Sequence, residues 1–347
     1  MTMHSTLCTL AAGLIVASIA SPMAVAAPVN AGLTEITVAD PTGGRGTTGF
    51  MWYPTTDDTG AQIALGNPVW QGVSVIPDAA PQTGSHPLLV MSHGMYGNAR
   101  NQAWLATALA RAGYMVAAID HPGTSSFSRD TAQARALWER PRDITRLIDH
   151  IIADPKMGAL VDRDRIFMAG HSLGGFTAVA LAGGRFDPAR FAAHCATSAD
   201  LACDVLKTWG VAGTEADRAA FKESAADPRI RAFAVFDLGG TQSFSPASLS
   251  AIDRPMLIFG APAFGSWLDL DIESRALAAH LPKATSRYLE PDGLQHFDFL
   301  GICTDKALMI LEEEDPDDVI VCKDGIEERA GEHRFIINEV QSFFARN

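Results

Sequence analysis

The chain has 347 residues, 47% hydrophobic and 19% charged, with 27 basic against 40 acidic side chains and a net charge of −13. That balance excludes a dominantly disordered chain, which would pair low hydrophobicity with high charge. A pI near 5.1 excludes a basic nucleic-acid footprint, and five cysteines in this length exclude a small disulfide scaffold.

The first 26 residues hold no Asp, Glu, Lys or Arg. An apolar run from Leu10 to Ala20 leads to Ser21, Pro22 and the ending Ala24-Val25-Ala26, a pattern that predicts a secretory signal cut after Ala26. Ser18, Ser21 and Pro22 interrupt the run too early for a membrane span. Residues 27–347 then form the mature chain, secreted or periplasmic and still at −13, with no later stretch of membrane length. Cleavage removes Cys8. Of the three pairings open to the remaining four cysteines, Cys195–Cys203 with Cys303–Cys322 is the simplest. Zinc is the weaker reading of these residues, because no C-x-x-C or H-x-x-x-H spacing accompanies them.

In chain order, short β-type runs alternate with helical patterns. Thr34–Ala39 and Gly49–Tyr53 read as strands, the second ending at Pro54; residues 63–84 read as a loop or arm. A buried strand over Pro87–Ser92, a helix over Asn101–Ala112 and a strand over Tyr114–Asp120 follow. Thr131–Ala153 is an amphipathic helix that Pro141 is expected to divide. Then come a strand at Arg165–Ala169, a helix at Leu173–Ala182, strands at Ile230–Phe236 and Met256–Gly260, and a helix at Glu273–His280. A last strand at Ser286–Glu290 and a closing helix within Gly325–Phe344 complete the series. Apolar strands alternating with helices predict an α/β fold, a mostly parallel central sheet covered on both faces. No repeat or linker divides the chain, so one domain is expected, with an excursion at about 186–227. The acidic stretch from Glu312 to Asp318 lacks the alternating ligands and glycine of a calcium loop and reads as a solvated loop.

Gly170-His171-Ser172-Leu173-Gly174-Gly175 lies between a predicted strand and a predicted helix, the context in which G-x-S-x-G forms a nucleophile elbow. The turn is expected to strain Ser172 and lift its hydroxyl to the carboxyl end of the sheet. Such a serine needs a base oriented by an acid. His194, His280, His296 and His333 follow it in the chain; only His296 sits in a loop after the last strand, in Leu294-Gln295-His296-Phe297-Asp298. For the acid, the turn after the next-to-last strand reads Gly260-Ala261-Pro262-Ala263 and offers no carboxylate. Asp237, at the end of a buried strand, is favoured; Asp269 and Asp271 are the alternatives. Backbone N–H groups of Met95, in Ser92-His93-Gly94-Met95-Tyr96, and of Leu173 are the expected oxyanion donors. Met95, Tyr96, Phe244, Phe264 and Trp267 are candidates for an apolar substrate pocket.

Ser92-His93-Gly94, Gly170-His171-Ser172-Leu173-Gly174-Gly175, the strand-ending Asp237 and Leu294-Gln295-His296-Phe297-Asp298-Phe299 together resemble the platelet-activating factor acetylhydrolase branch of the α/β-hydrolases. Bacterial members are often described as dienelactone hydrolase-like. The resemblance spans roughly residue 49 to the C-terminus. It implies an acid after the sixth strand and oxyanion donors at Met95 and Leu173. A dienelactone hydrolase proper uses a cysteine nucleophile, and this chain has Ser172 there.

These residues lead to the expectation of an exported serine esterase that needs no cofactor or metal and cleaves neutral short-chain or lipid-like esters. Hydrolysis of aromatic or polymeric esters is the nearest alternative. Amide hydrolysis and a non-catalytic binding protein on the same scaffold stand behind it.

Overall fold

The computed structural model describes residue 1 and residues 29–263, 268–323 and 325–347; the expected signal, and with it Phe264 and Trp267, lies outside the described residues. The strands are β1 (Asn30–Val38), β2 (Thr47–Thr55), β3 (Gln62–Ala64), β4 (Val73–Pro77), β5 (His86–Ser92), β6 (Met115–Ile119), β7 (Thr124–Ser125), β8 (Ser128–Arg129), β9 (Val161–His171), β10 (Ile230–Phe236), β11 (Met256–Phe259) and β12 (Ser286–Leu289). All but the β7–β8 pair form one sheet in the order β12-β11-β10-β9-β5-β6-β2-β1-β4-β3. From β6 to β12 the neighbours are parallel; β2 runs antiparallel to both β1 and β6.

The helices are α1 (Ala103–Arg111), α2 (Thr131–Arg135), α3 (Glu139–Ala153), α4 (Leu173–Ala182), α5 (Pro188–Thr197), α6 (Leu201–Thr208), α7 (Glu215–Ala220), α8 (Pro246–Ser250), α9 (Ser274–His280), α10 (Ala307–Glu314) and α11 (Ile326–Phe344). Side-chain alternation along the strands splits the core in two. Leu88, Val90, Met168 and Val235 pack with Ile144, Leu147 and Ile151 of α3 and with α4. Leu89, Met91, Phe167 and Phe259 face the other way, against Leu105 and Leu109 of α1 and Ile336, Val340 and Phe344 of α11. Both faces of the parallel strands are therefore buried, which is why their sequences are continuously apolar.

Four expectations change. Pro54 does not end β2: it pairs with Ala31 of β1, beyond the β6 ladder, which stops at Trp52, so its missing N–H costs that ladder nothing. Residues 63–84 hold two strands, β3 and β4, that extend the sheet past β1; both are too short for clear alternation. Pro141 does not divide a helix either. The break falls between Arg135 and Glu139, and Pro141 occupies the first turn of α3, where a missing N–H is harmless. The acidic stretch is the exposed end of α10 and the start of a 3-10 turn, Pro316–Cys322, rather than an open loop.

The excursion holds α5, α6 and α7. Cys195 and Cys203 join α5 to α6, with Cα atoms 5.4 Å apart. Cys303 and Cys322 are joined across α10, at 5.8 Å. Among the described residues no helix is long and apolar enough to cross a membrane.

Candidate active site

Ser172 joins β9 to α4 at φ 55° and ψ −119°, a conformation costing a non-glycine residue about 1–3 kcal/mol. Its N–H donates to Phe236 O at 2.9 Å, and its carbonyl accepts from Gly175 N–H at 2.8 Å. The two flanking glycines make the turn possible. A Cβ on Gly170 would collide with the carbonyl oxygen of Gly174, and one on Gly174 with that of Ser92. Packing of α4 against the end of β5 at backbone distance is thus written into the motif.

Asp237 follows β10 with φ 42° and is 1% exposed. Its N–H donates to Phe259 O at 2.9 Å, fixing the carboxylate at the carboxyl end of the sheet. One oxygen accepts from His296 Nδ1 at 2.7 Å; the other accepts from Ala261 N–H at 3.0 Å and from the Ser274 hydroxyl at 3.3 Å. With Nδ1 donating, Nε2 of His296 carries the free lone pair that a general base requires. Asp269 and Asp271 are exposed, and Asp271 pairs with Arg275 at 2.9 Å.

His296 opens a 3-10 turn, His296–Phe299, held from several sides. Gln295 N–H donates to the Asp298 carboxylate at 2.7 Å. Gln102 and Trp104 of the α1 region each donate to Phe299 O at 3.3 Å, and His333 of α11 lies 2.9 Å from Asp298 O. His171, next to Ser172, donates its Nε2–H to His296 O at 2.9 Å, with its ring 4.6 Å from that of His296. Burial holds the His171 imidazole well below its ordinary pKa, so it stays neutral. His171 therefore ties the serine segment to the histidine loop. Among the described residues no hydrogen bond joins Ser172 Oγ to His296 Nε2, as is common before substrate tightens a site.

Gly94 lies against Ser172, the position of its absent Cβ being 3.1 Å from Ser172 Cβ. Met95 and Leu173 both line the cavity at Ser172, and neither N–H donates within the described chain. Behind them lies a buried polar cluster. His121 Nδ1 meets Asp143 at 2.9 Å and its Nε2 meets the Ser92 hydroxyl at 2.9 Å, while Asp143 also takes Arg45 at 3.0 Å and Arg146. Burial pushes His93 and His121 well below the usual imidazole range.

A cavity of about 50 Å³ opens at Ser172. Its walls are Met95, Leu173, Phe176, Gly239, Gly240 and a set from the excursion, Leu201, Val205, Leu206 and Trp209. Met95 therefore faces it. Tyr96 stands behind, its hydroxyl accepting from Trp209 Nε1 at 3.1 Å. Phe244 is fully buried against the far side of Phe176, with ring centroids 4.6 Å apart. Glu273, 2% exposed, takes the N–H groups of Gly240 and Thr241 at 2.9 and 2.7 Å and so pins the Gly239–Gly240 wall; burial raises its pKa to about 7. His194, Asp200 and Cys203 bring ligand-type atoms within 4.8 Å of one another, but the Cys203 sulfur is committed to Cys195 and Asp200 caps α6.

His171, Ser274, Glu273 and the α6 wall escape a sequence reading. His171 stands inside the motif, yet nothing local says that its ring crosses to residue 296. Ser274 and Glu273 carry no motif at all.

A family model described as serine aminopeptidase, S33, matches residues 84–220, from β5 through the elbow to the end of α7. Among solved structures, the ferulic acid esterase from Streptomyces cinnamoneus aligns with a TM-score of 0.60, over 93% of this chain and 91% of that one, at 20% identity. A search of the curated proteins finds no match. With the strand order and the elbow already in place, these likenesses agree on one fold, that of the α/β-hydrolases.

Proposed function

We propose that this chain is an exported serine ester hydrolase acting on neutral esters with short acyl groups. The observation that carries the reading is the buried 2.7 Å Asp237–His296 pair beside a strained elbow serine. Ser172 Oγ attacks the ester carbonyl while His296 Nε2 takes its proton. Asp237 fixes the tautomer and stabilises the imidazolium. Met95 and Leu173 N–H groups receive the oxyanion, as does the positive end of α4. Collapse expels the alcohol, protonated by His296. Water, deprotonated by the same imidazole, then frees the acid from the acyl-enzyme.

The cavity supports the short acyl group. It is small and its walls are apolar, which favours an acyl group of a few carbons. The ferulic acid esterase likeness keeps an aromatic acyl group as the alternative. The alcohol half is less constrained, which leaves lipid-like alcohols as substrates. At −13 the chain disfavours anionic surfaces. Export is supported by the two disulfides, which persist in oxidising compartments. The acid at the end of β10 supports the acetylhydrolase-like branch.

The description of the matching family model gives a specific reason to weigh peptide-bond cleavage as a second reading. Matched p-nitrophenyl acetate and acetyl-p-nitroanilide decide between them. Ester turnover at least a hundredfold faster than amide turnover, lost in Ser172→Ala, supports the proposal; preference for the amide would replace it. No turnover of either would leave a binding protein on a hydrolase scaffold.

A further inference from the structure

Arg140 lies in the first turn of α3 and is 1% exposed, yet none of the described ion pairs includes it. Its donors go to uncharged oxygens on three separate segments: Thr177 Oγ1 on α4 at 3.1 Å, Ser92 Oγ at 3.1 Å together with His93 O after β5, and Thr124 Oγ1 on β7. Asp143, one helical turn on, is reached only through Ser92 and His121, and it is already shared by Arg45 and Arg146. Burying a guanidinium without a carboxylate in contact is costly, so fully occupied donors are needed to keep it charged. Burial lowers its pKa to about 9, which still leaves it protonated at neutral pH.

The two ends of this arrangement coincide with the two oxyanion segments. On one side Arg140 holds His93 O, the carbonyl of the peptide preceding Gly94-Met95. On the other, Thr177 Oγ1 accepts from Arg140 and donates to Leu173 O at 3.1 Å. The contact between Gly174 and Ser92 sets how closely the segments approach, but a van der Waals contact does not fix their slide. Two donors reach one oxygen only if both displacements are controlled to a few tenths of an ångström.

We propose that Arg140 is the positioning residue that locks the Met95 and Leu173 N–H groups at a fixed separation, with its unpaired charge held behind the oxyanion. The inference rests on the esterase reading and on Ser172 as nucleophile. Arg140→Lys and the isosteric Thr177→Val test it in the full chain. The readouts are kcat and KM on p-nitrophenyl acetate, Tm, and affinity for a short alkyl trifluoromethyl ketone, whose tetrahedral adduct needs the oxyanion donors. Loss of one donor outright costs about 10²–10³-fold, so mispositioning by Arg140→Lys is expected to lower kcat roughly 10- to 100-fold, with KM within about threefold. Thr177→Val should give roughly a tenfold loss. Adduct affinity should fall by the same factor as kcat in both variants. A kcat within twofold of wild type in both would overturn the proposal, as would a kcat loss that follows Tm while adduct affinity is unchanged. If Arg140→Lys does not fold, Thr177→Val alone decides by the same two criteria. Retention of turnover in Ser172→Ala would instead sink the underlying esterase reading, whatever Arg140 does.

Discussion

Two regions meet at Ser172 and are built on different principles. On the sheet side, the elbow is held by backbone against backbone: Gly170 on Gly174, Gly174 on Ser92, and the Ser172 N–H on Phe236 O. On the solvent side, residues 186–227 cover the serine with side chains, Leu201, Val205, Leu206 and Trp209, tethered by the Cys195–Cys203 bond. Contacts between backbones leave no room for substitution, whereas a wall of apolar side chains can be enlarged or reduced without touching Ser172. Chemistry should therefore fail when the first region is altered, and selectivity should move when the second is.

Ser172→Ala is the most damaging change expected, a loss of about 10⁶ in kcat if the triad acts as a unit, read from p-nitrophenyl acetate turnover. Asp237→Asn follows, with about 10⁴ lost because the histidine takes the wrong tautomer. Asp271→Asn, which removes only an exposed pairing with Arg275, should stay within about twofold. An equal loss at both aspartates would refute the assignment of the acid. On the other side of the comparison, Leu206→Ala should deepen the cavity and raise kcat/KM for hexanoyl over acetyl esters roughly tenfold, since each methylene accommodated is worth about 1–3 kcal/mol. An unchanged chain-length profile would remove α6 from the acyl pocket.

Smallest is the effect of Glu273, which belongs to neither region but braces their meeting point. Its folded pKa of about 7 stands above the ordinary 4.5, so protons bind more tightly in the native state. Its contribution to stability is complete below pH 4.5 and is lost as pH rises through about 7. Wild-type protein should lose roughly 1–3 kcal/mol across that interval that Glu273→Gln does not lose. Thermal unfolding of both at several pH values measures it, and parallel curves would contradict it.

The same division explains what the amino-acid order reveals. The elbow is legible because G-x-S-x-G states its own steric demand, and Asp237 because a carboxylate ending a buried strand needs a partner. The central strands are legible because parallel strands buried on both faces are continuously apolar. Arg140 is not legible: its partners are Ser92, His93, Thr124 and Thr177, distant in sequence and without motif. Nor is the cavity wall, because the amphipathic pattern of α6 shows an apolar face but not what that face covers. β3 and β4 escape for a third reason, since short edge strands carry too few residues to alternate. Phe244 shows the limit of composition: an aromatic near the site in sequence proves to be core behind Phe176.

The central claim is that Ser172 is an activated nucleophile, and mapping of a fluorophosphonate adduct by mass spectrometry tests it most directly. The account predicts a single labelled peptide containing Ser172, with labelling abolished in Ser172→Ala and strongly slowed in Asp237→Asn. Label on another residue, or ester turnover that continues at the wild-type rate with Ser172 unlabelled, would contradict it.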